Sequence, residues 1–95
     1  MALTLIARVK VKKGMEEKAA KELSWLVPHS RKDKGCLQYD LHQGMQDKTL
    51  FMFYERWESL EDLEAHKNMS FMKESQKRTA DIFDGPGDVT LWETV

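Results

Sequence analysis

The sequence predicts an α+β domain, a four-stranded antiparallel sheet with helices over one face, from two observations. First, four stretches alternate apolar and polar residues, and two stretches of helical spacing separate them in the order β-α-β-β-α-β. Second, the third strand, Phe51 to Trp57, carries large apolar groups on both faces: Phe51, Phe53, Glu55 and Trp57 on one, Met52, Tyr54 and Arg56 on the other. A chain of 95 residues has few helices to cover both sides. One face is therefore expected to meet the chain's own helices and the other a second subunit.

The first strand runs from Leu3 to Val11. Leu3, Leu5, Ala7, Val9 and Val11 form its core face and Thr4, Ile6, Arg8, Lys10 and Lys12 its other face. Lys13-Gly14 stops it. Met15, Ala19, Leu23, Leu26 and Val27 then recur at helical spacing, with Glu16, Glu17, Lys18 and Glu22 turned to water. Pro28 lacks an amide proton and should end or loosen that helix. His29 to Lys34 is basic and polar, with room for one more turn before Gly35.

Cys36 to His42 is the second strand, with Leu37, Tyr39 and Leu41 alternating against Cys36, Gln38, Asp40 and His42. Gln43 to Lys48, holding Gly44 and Asp47, forms a hairpin turn into the third strand. Ser59 is placed to cap a helix from Leu60 to about His66, with Glu61 and Asp62 in the first turn, where the helix dipole favours anions. Met69 to Phe83 reads as a further helix, ended by Gly85-Pro86-Gly87. Asp88 to Val95 is the last strand. The order is that of a ferredoxin-like domain spanning residues 1–95, its second helical unit split in two. Pairing two such sheets face to face would give a dimeric α+β barrel.

Composition narrows the function classes. The chain has 15 basic and 16 acidic residues with no long run of either sign, so neither nucleic acid nor a membrane surface is an expected partner. The N-terminal residues lack the basic region of a signal peptide, and the lone Cys36 cannot make an intrachain disulfide; a reducing cytoplasm is the expected compartment. Cys36 reads as a small packing residue rather than a nucleophile. His29, His42 and His66 are scattered, without metal-ligand spacing, so no metal is expected, and His29 and His42 read as surface or rim residues. Trp57 and His66 fall at one end of the sheet. Trp57 either closes the core or borders the gap between sheet and helices; His66 either caps its short helix or faces that gap. Tyr39, Tyr54 and Phe71 could line the same gap or simply fill the core.

Gly35-Cys36-x-x-Tyr39, then Glu55-Arg56-Trp57-Glu58-Ser59, then Leu63 and His66 resemble the antibiotic biosynthesis monooxygenase domain family, with its quinol monooxygenases and anthrone oxygenases. The likeness runs in order along nearly the whole chain. It implies a homodimer and a monooxygenase that oxidises a small, electron-rich, quinol-like aromatic directly with O₂, using no metal, haem or flavin. On that reading His66 is the catalytic base, its ordinary pKa lying near neutrality. Trp57, Tyr39 and Phe71 would bind the substrate, and Glu55 would orient a partner. This chain has Phe71 where many relatives carry a second histidine. It has Phe53 and Leu63 where the anthrone oxygenases carry polar residues, and Ile6, Ala7 and Arg8 where haem-degrading relatives need an asparagine. Two other classes use the same pocket without O₂: an isomerase or lyase of a small carbonyl compound, and a non-catalytic stress protein that sequesters a ligand.

Overall fold

A computed structural model describes residues 2–95. The elements are β1 (Leu3–Lys10), α1 (Glu16–Ser24), α2 (Leu26–Arg31), β2 (Cys36–Gln43), β3 (Leu50–Trp57), α3 (Leu60–Lys67), α4 (Ser70–Arg78) and β4 (Asp88–Trp92). The four strands form one sheet in the order β2-β3-β1-β4. Every pairing in it is antiparallel, which is the ferredoxin-like α+β arrangement.

The alternation of β1 and β3 sets which face is inside. Leu5 stands opposite Glu55, Ala7 opposite Phe53 and Val9 opposite Phe51. Phe51, Phe53, Glu55 and Trp57 are all buried, and Ala19 and Leu23 of α1, Leu26 of α2 and Leu63 of α3 complete the core against them. The opposite face carries no helix. Across it run rows of paired residues, such as Thr90, Ile6, Tyr54 and Asp40, then Asp88, Arg8, Met52 and His42.

Four expectations need correction. The strand periodicity of β2 is broken: Cys36 pairs with Trp57 and Gln38 with Arg56, so Leu37 is an extra residue in a bulge. The bulge turns Leu37 outward, 45% exposed, and lays Cys36 on the core in its place. The first helical stretch breaks at Trp25, before the proline. Pro28 then lies in the first turn of α2, where a missing amide proton leaves no helical bond unmade.

The fourth helix stops at Arg78 rather than Phe83. Beyond it the chain turns to bond the end of β1: Lys12 N–H donates to Ile82 O, and Asp84 N–H donates to Lys10 O, each at 2.8 Å. Phe83 forms a bridge with Val11 there, so sheet pairing overrides the helical spacing of Thr79 and Ile82. The last strand likewise ends at Trp92, short of Val95, where its partner β1 runs out of register at Thr4. Among the described residues no helix is long and apolar enough to cross a membrane.

Candidate functional site

Strand β3 ends at Trp57, and Ser59 turns the chain into α3: its Oγ accepts the Asp62 N–H at 3.1 Å, as the sequence predicts for a capping serine. Two turns on, His66 faces back toward the sheet. Its ring centroid lies 4.6 Å from that of Trp57, 5.6 Å from Tyr39 and 5.8 Å from Phe71. Four of the five site residues picked out of the sequence, Trp57, Tyr39, Phe71 and His66, therefore form one aromatic cluster. The fifth, Glu55, joins it through Trp57, whose indole N–H donates to Glu55 Oε1 at 3.0 Å.

Between sheet and helices lies a cavity of about 350 Å³. Leu5, Phe53, Leu23 and Leu26 form apolar wall, and Tyr39, Glu55 and His66 supply inner polar groups. Lys67, Gln76 and Val89 are exposed and mark its mouth. Trp57 is completely buried and stands behind the wall, holding Glu55 and stacking on His66, while Phe71 flanks the histidine. A second hollow, about 390 Å³, lies on the helix-free face around Arg8, Lys10, His42 and Met52. It contains no buried titratable group, so the chemistry is assigned to the first.

Burial tunes the three polar groups of the cavity in different directions. It holds His66 below the usual imidazole range, against the opposing pull of Asp33, whose Oδ2 lies 2.8 Å from His66 Nδ1; Lys67 pushes the same way as burial. Burial raises the Glu55 carboxyl to about 7, with the Trp57 hydrogen bond and Lys67 acting against it. Burial, and then the charge of Glu55, pushes the Tyr39 phenol above its ordinary range. Near neutral pH the cavity thus holds a neutral imidazole, a carboxyl poised between its two forms, and a phenol that stays a hydrogen-bond donor. Such a set can accept a proton, return one and bind an oxyanion.

Of the other histidines, one borders the cluster: the His29 ring centroid lies 5.4 Å from that of Phe71. His29 packs edge-on against Trp25 at 4.3 Å, and His42 is exposed on β2. Cys36 lies against the core with its thiol pushed up by burial, the opposite of an activated nucleophile. Among the described residues no three His, Cys, Asp or Glu side chains group as metal ligands would. Sequence reasoning missed Asp33, which is 33 residues from His66 and sits in a basic stretch without any local signal. It also left Glu55 as an orienting residue, although its place among the core-facing residues of β3 already implied a shifted carboxyl.

Comparison with known proteins identifies the family and the fold. The family model described as "Antibiotic biosynthesis monooxygenase" matches residues 2–78. The Bacillus subtilis (strain 168) protein named "Putative monooxygenase YcnE" is 28% identical over 91 residues, covering 96% of each chain. The crystal structure of PA3566 from Pseudomonas aeruginosa is 33% identical, with a TM-score of 0.91 over 99% of this chain and 95% of that one. A Nitrosomonas europaea structure at 21% identity shares the fold, with a TM-score of 0.94 over 99% of this chain and 90% of the other.

Proposed function

The chain belongs to the antibiotic biosynthesis monooxygenase family, and from that premise we propose that it oxygenates a small, electron-rich, quinol-like aromatic directly with O₂. The observation that carries the reading is the cavity itself. Its volume of about 350 Å³ suits a one- or two-ring compound, its walls are mostly apolar, and its inner polar groups include a base, an acid and a donor.

His66 removes a proton from the bound hydroquinone, and Tyr39 donates a hydrogen bond to the resulting phenolate. The electron-rich anion gives an electron to O₂; the radical pair joins at a ring carbon to form a hydroperoxide. Loss of water leaves one oxygen atom on the ring, so hydroquinone and O₂ become hydroxyquinone and water. Protonated His66 or Glu55 supplies the proton that lets the peroxide oxygen leave. No metal or organic cofactor enters this scheme.

The active form on this reading is a homodimer. Ile6, Met52 and Tyr54 are half-buried on a face without helices, and Arg8 and Arg56 share that face with Asp40 and Asp88. A two-fold pairing of this face with its copy would cover the apolar row, and of the charges beside it Arg8 is already matched with Asp88 and Asp40 with Arg31 within the chain.

One observation favours a second reading. Glu55 and His66 together could move a proton from carbon to oxygen of a small carbonyl compound, an isomerase or lyase reaction without O₂. Oxygen uptake with a panel of hydroquinones separates the two. We expect uptake matched to hydroxyquinone formation, and a fall of about 10²–10⁴-fold in His66→Gln, the usual worth of a positioned base. Turnover of a carbonyl substrate without uptake would favour the second reading, and full activity in His66→Gln would remove His66 from either.

A further inference from the structure

We infer that Asp33 is a positioning residue that fixes His66 in the tautomer with its proton on Nδ1, keeping Nε2 free to take the substrate's proton. The inference rests on the reading of His66 as the base.

The two side chains meet at 2.8 Å; His66 is buried and Asp33 half-buried, with side-chain exposures of 2% and 10%. A carboxylate only accepts hydrogen bonds, so Nδ1 must be the donor. The neutral ring then has its lone pair on Nε2. Among the described residues no group bonds Nε2, it is not a sealed atom, and His66 lines the cavity. With a partner on one nitrogen and the cavity on the other, the ring has one productive orientation.

The backbone around Asp33 is equally fixed. Its N–H donates to Ser30 O at 3.0 Å, and its carbonyl accepts from Cys36 N–H at 3.1 Å. Two residues on, Gly35 O accepts from Glu58 N–H at 2.9 Å, which ties the α2–β2 loop to the end of β3. The loop therefore holds the carboxylate in place from both sides, as a positioning group requires. A purely structural pair joining this loop to α3 is the competing account. It predicts a loss of stability when the pair is broken, with turnover per folded molecule unchanged.

The test uses ¹⁵N-histidine spectra of the full chain, together with turnover against pH. In the wild type near neutral pH, His66 should show a protonated Nδ1 and a bare Nε2. Asp33→Asn can donate its amide N–H to Nδ1, which moves the ring proton to Nε2. We expect that reversal, and turnover lower by about 10²–10⁴-fold in a folded protein. Asp33→Glu retains an acceptor and should keep the wild-type tautomer and turnover within about tenfold of wild type.

The groups facing His66 are Asp33 from the loop, Tyr39 from β2, Glu55 from β3 and Lys67 on its own helix. Removing the charge of Asp33 should therefore move the limb set by His66 to lower pH, a shift that any Asp33–His66 pair would give, so turnover per folded molecule is what separates the two accounts. A wild-type Nε2–H tautomer, or an Asp33→Asn protein that keeps Nδ1–H with full turnover, overturns the inference. So does a loss of turnover that only tracks loss of fold. If the wild type turns over no hydroquinone, the oxygenase reading fails, and the tautomer spectra still decide whether Asp33 fixes the His66 ring.

Discussion

Replacing Glu55 by glutamine should change how stability depends on pH, and the size of the change follows from the site. Burial raises the carboxyl from 4.5 to about 7 in the folded chain. At about 1.4 kcal/mol per pH unit, the folded state disfavours the carboxylate by about 3 kcal/mol relative to the unfolded chain. Between those two values the folded protein holds a proton that the unfolded chain has released. Stability therefore falls as pH rises through the window, and the full cost is present above about 7. The glutamine amide keeps the shape, and its carbonyl can still accept the Trp57 N–H, but it never ionises.

The two proteins should be nearly equal near pH 4.5, with Glu55→Gln more stable by about 3 kcal/mol at pH 8. His66 acts in the opposite sense, because its lowered pKa makes stability rise as pH climbs toward the ordinary imidazole value. Both proteins carry His66, so the difference between them isolates Glu55. Urea unfolding followed by tryptophan fluorescence across this pH range measures it. A difference that stays flat within roughly 0.5 kcal/mol, the scatter of ordinary surface substitutions, would refute the reasoning.

Two further predictions concern the frame around the site. Gly35 has a φ of 81°, and a Cβ built there would lie 2.6 Å from Asp62 Cβ, so Gly35→Ala should cost at least about 1–3 kcal/mol from backbone strain alone; an unchanged urea midpoint would contradict it. The 11.1 kDa chain should sediment as a dimer at micromolar concentration, and Tyr54→Lys, which puts a charge on the apolar row of the helix-free face, should shift it toward monomer; a wild-type monomer would remove the dimer from the proposed function.

Much of the frame was legible because it follows from local periodicity. The alternation of β1 and β3 placed Leu5, Phe53 and Glu55 on one face, and all three are buried there. The strand, the Ser59 cap and one short helix were enough to bring Trp57 and His66 together, and their rings lie 4.6 Å apart. Features that depend on distant partners were not legible. The bulge at Leu37 is set by how β2 registers on β3. The end of α4 is set by a bridge from Phe83 to Val11 across the fold. Asp33 shows the same limit at the site: its neighbours in sequence are basic, and only the folded loop reveals His66 as its partner.

The placement of Glu55 is informative beyond its titration. Four residues of β3 face the core, and three of them are aromatic: Phe51, Phe53 and Trp57. An apolar residue at the fourth would avoid the desolvation of a carboxyl, so stability alone does not account for a glutamate there. A structural role would ask for both oxygens to be satisfied. Instead one oxygen accepts the Trp57 N–H at 3.0 Å, while the other has no partner among the described residues and is not sealed off. Since Glu55 lines the cavity, that second oxygen is open to whatever the cavity holds. Trp57 thus anchors the carboxyl without neutralising it, while burial raises its pKa to about 7, the range that the proposed proton transfer asks for. The cost of about 3 kcal/mol at alkaline pH is then the stability that the core gives up to keep a titrating group on the cavity wall.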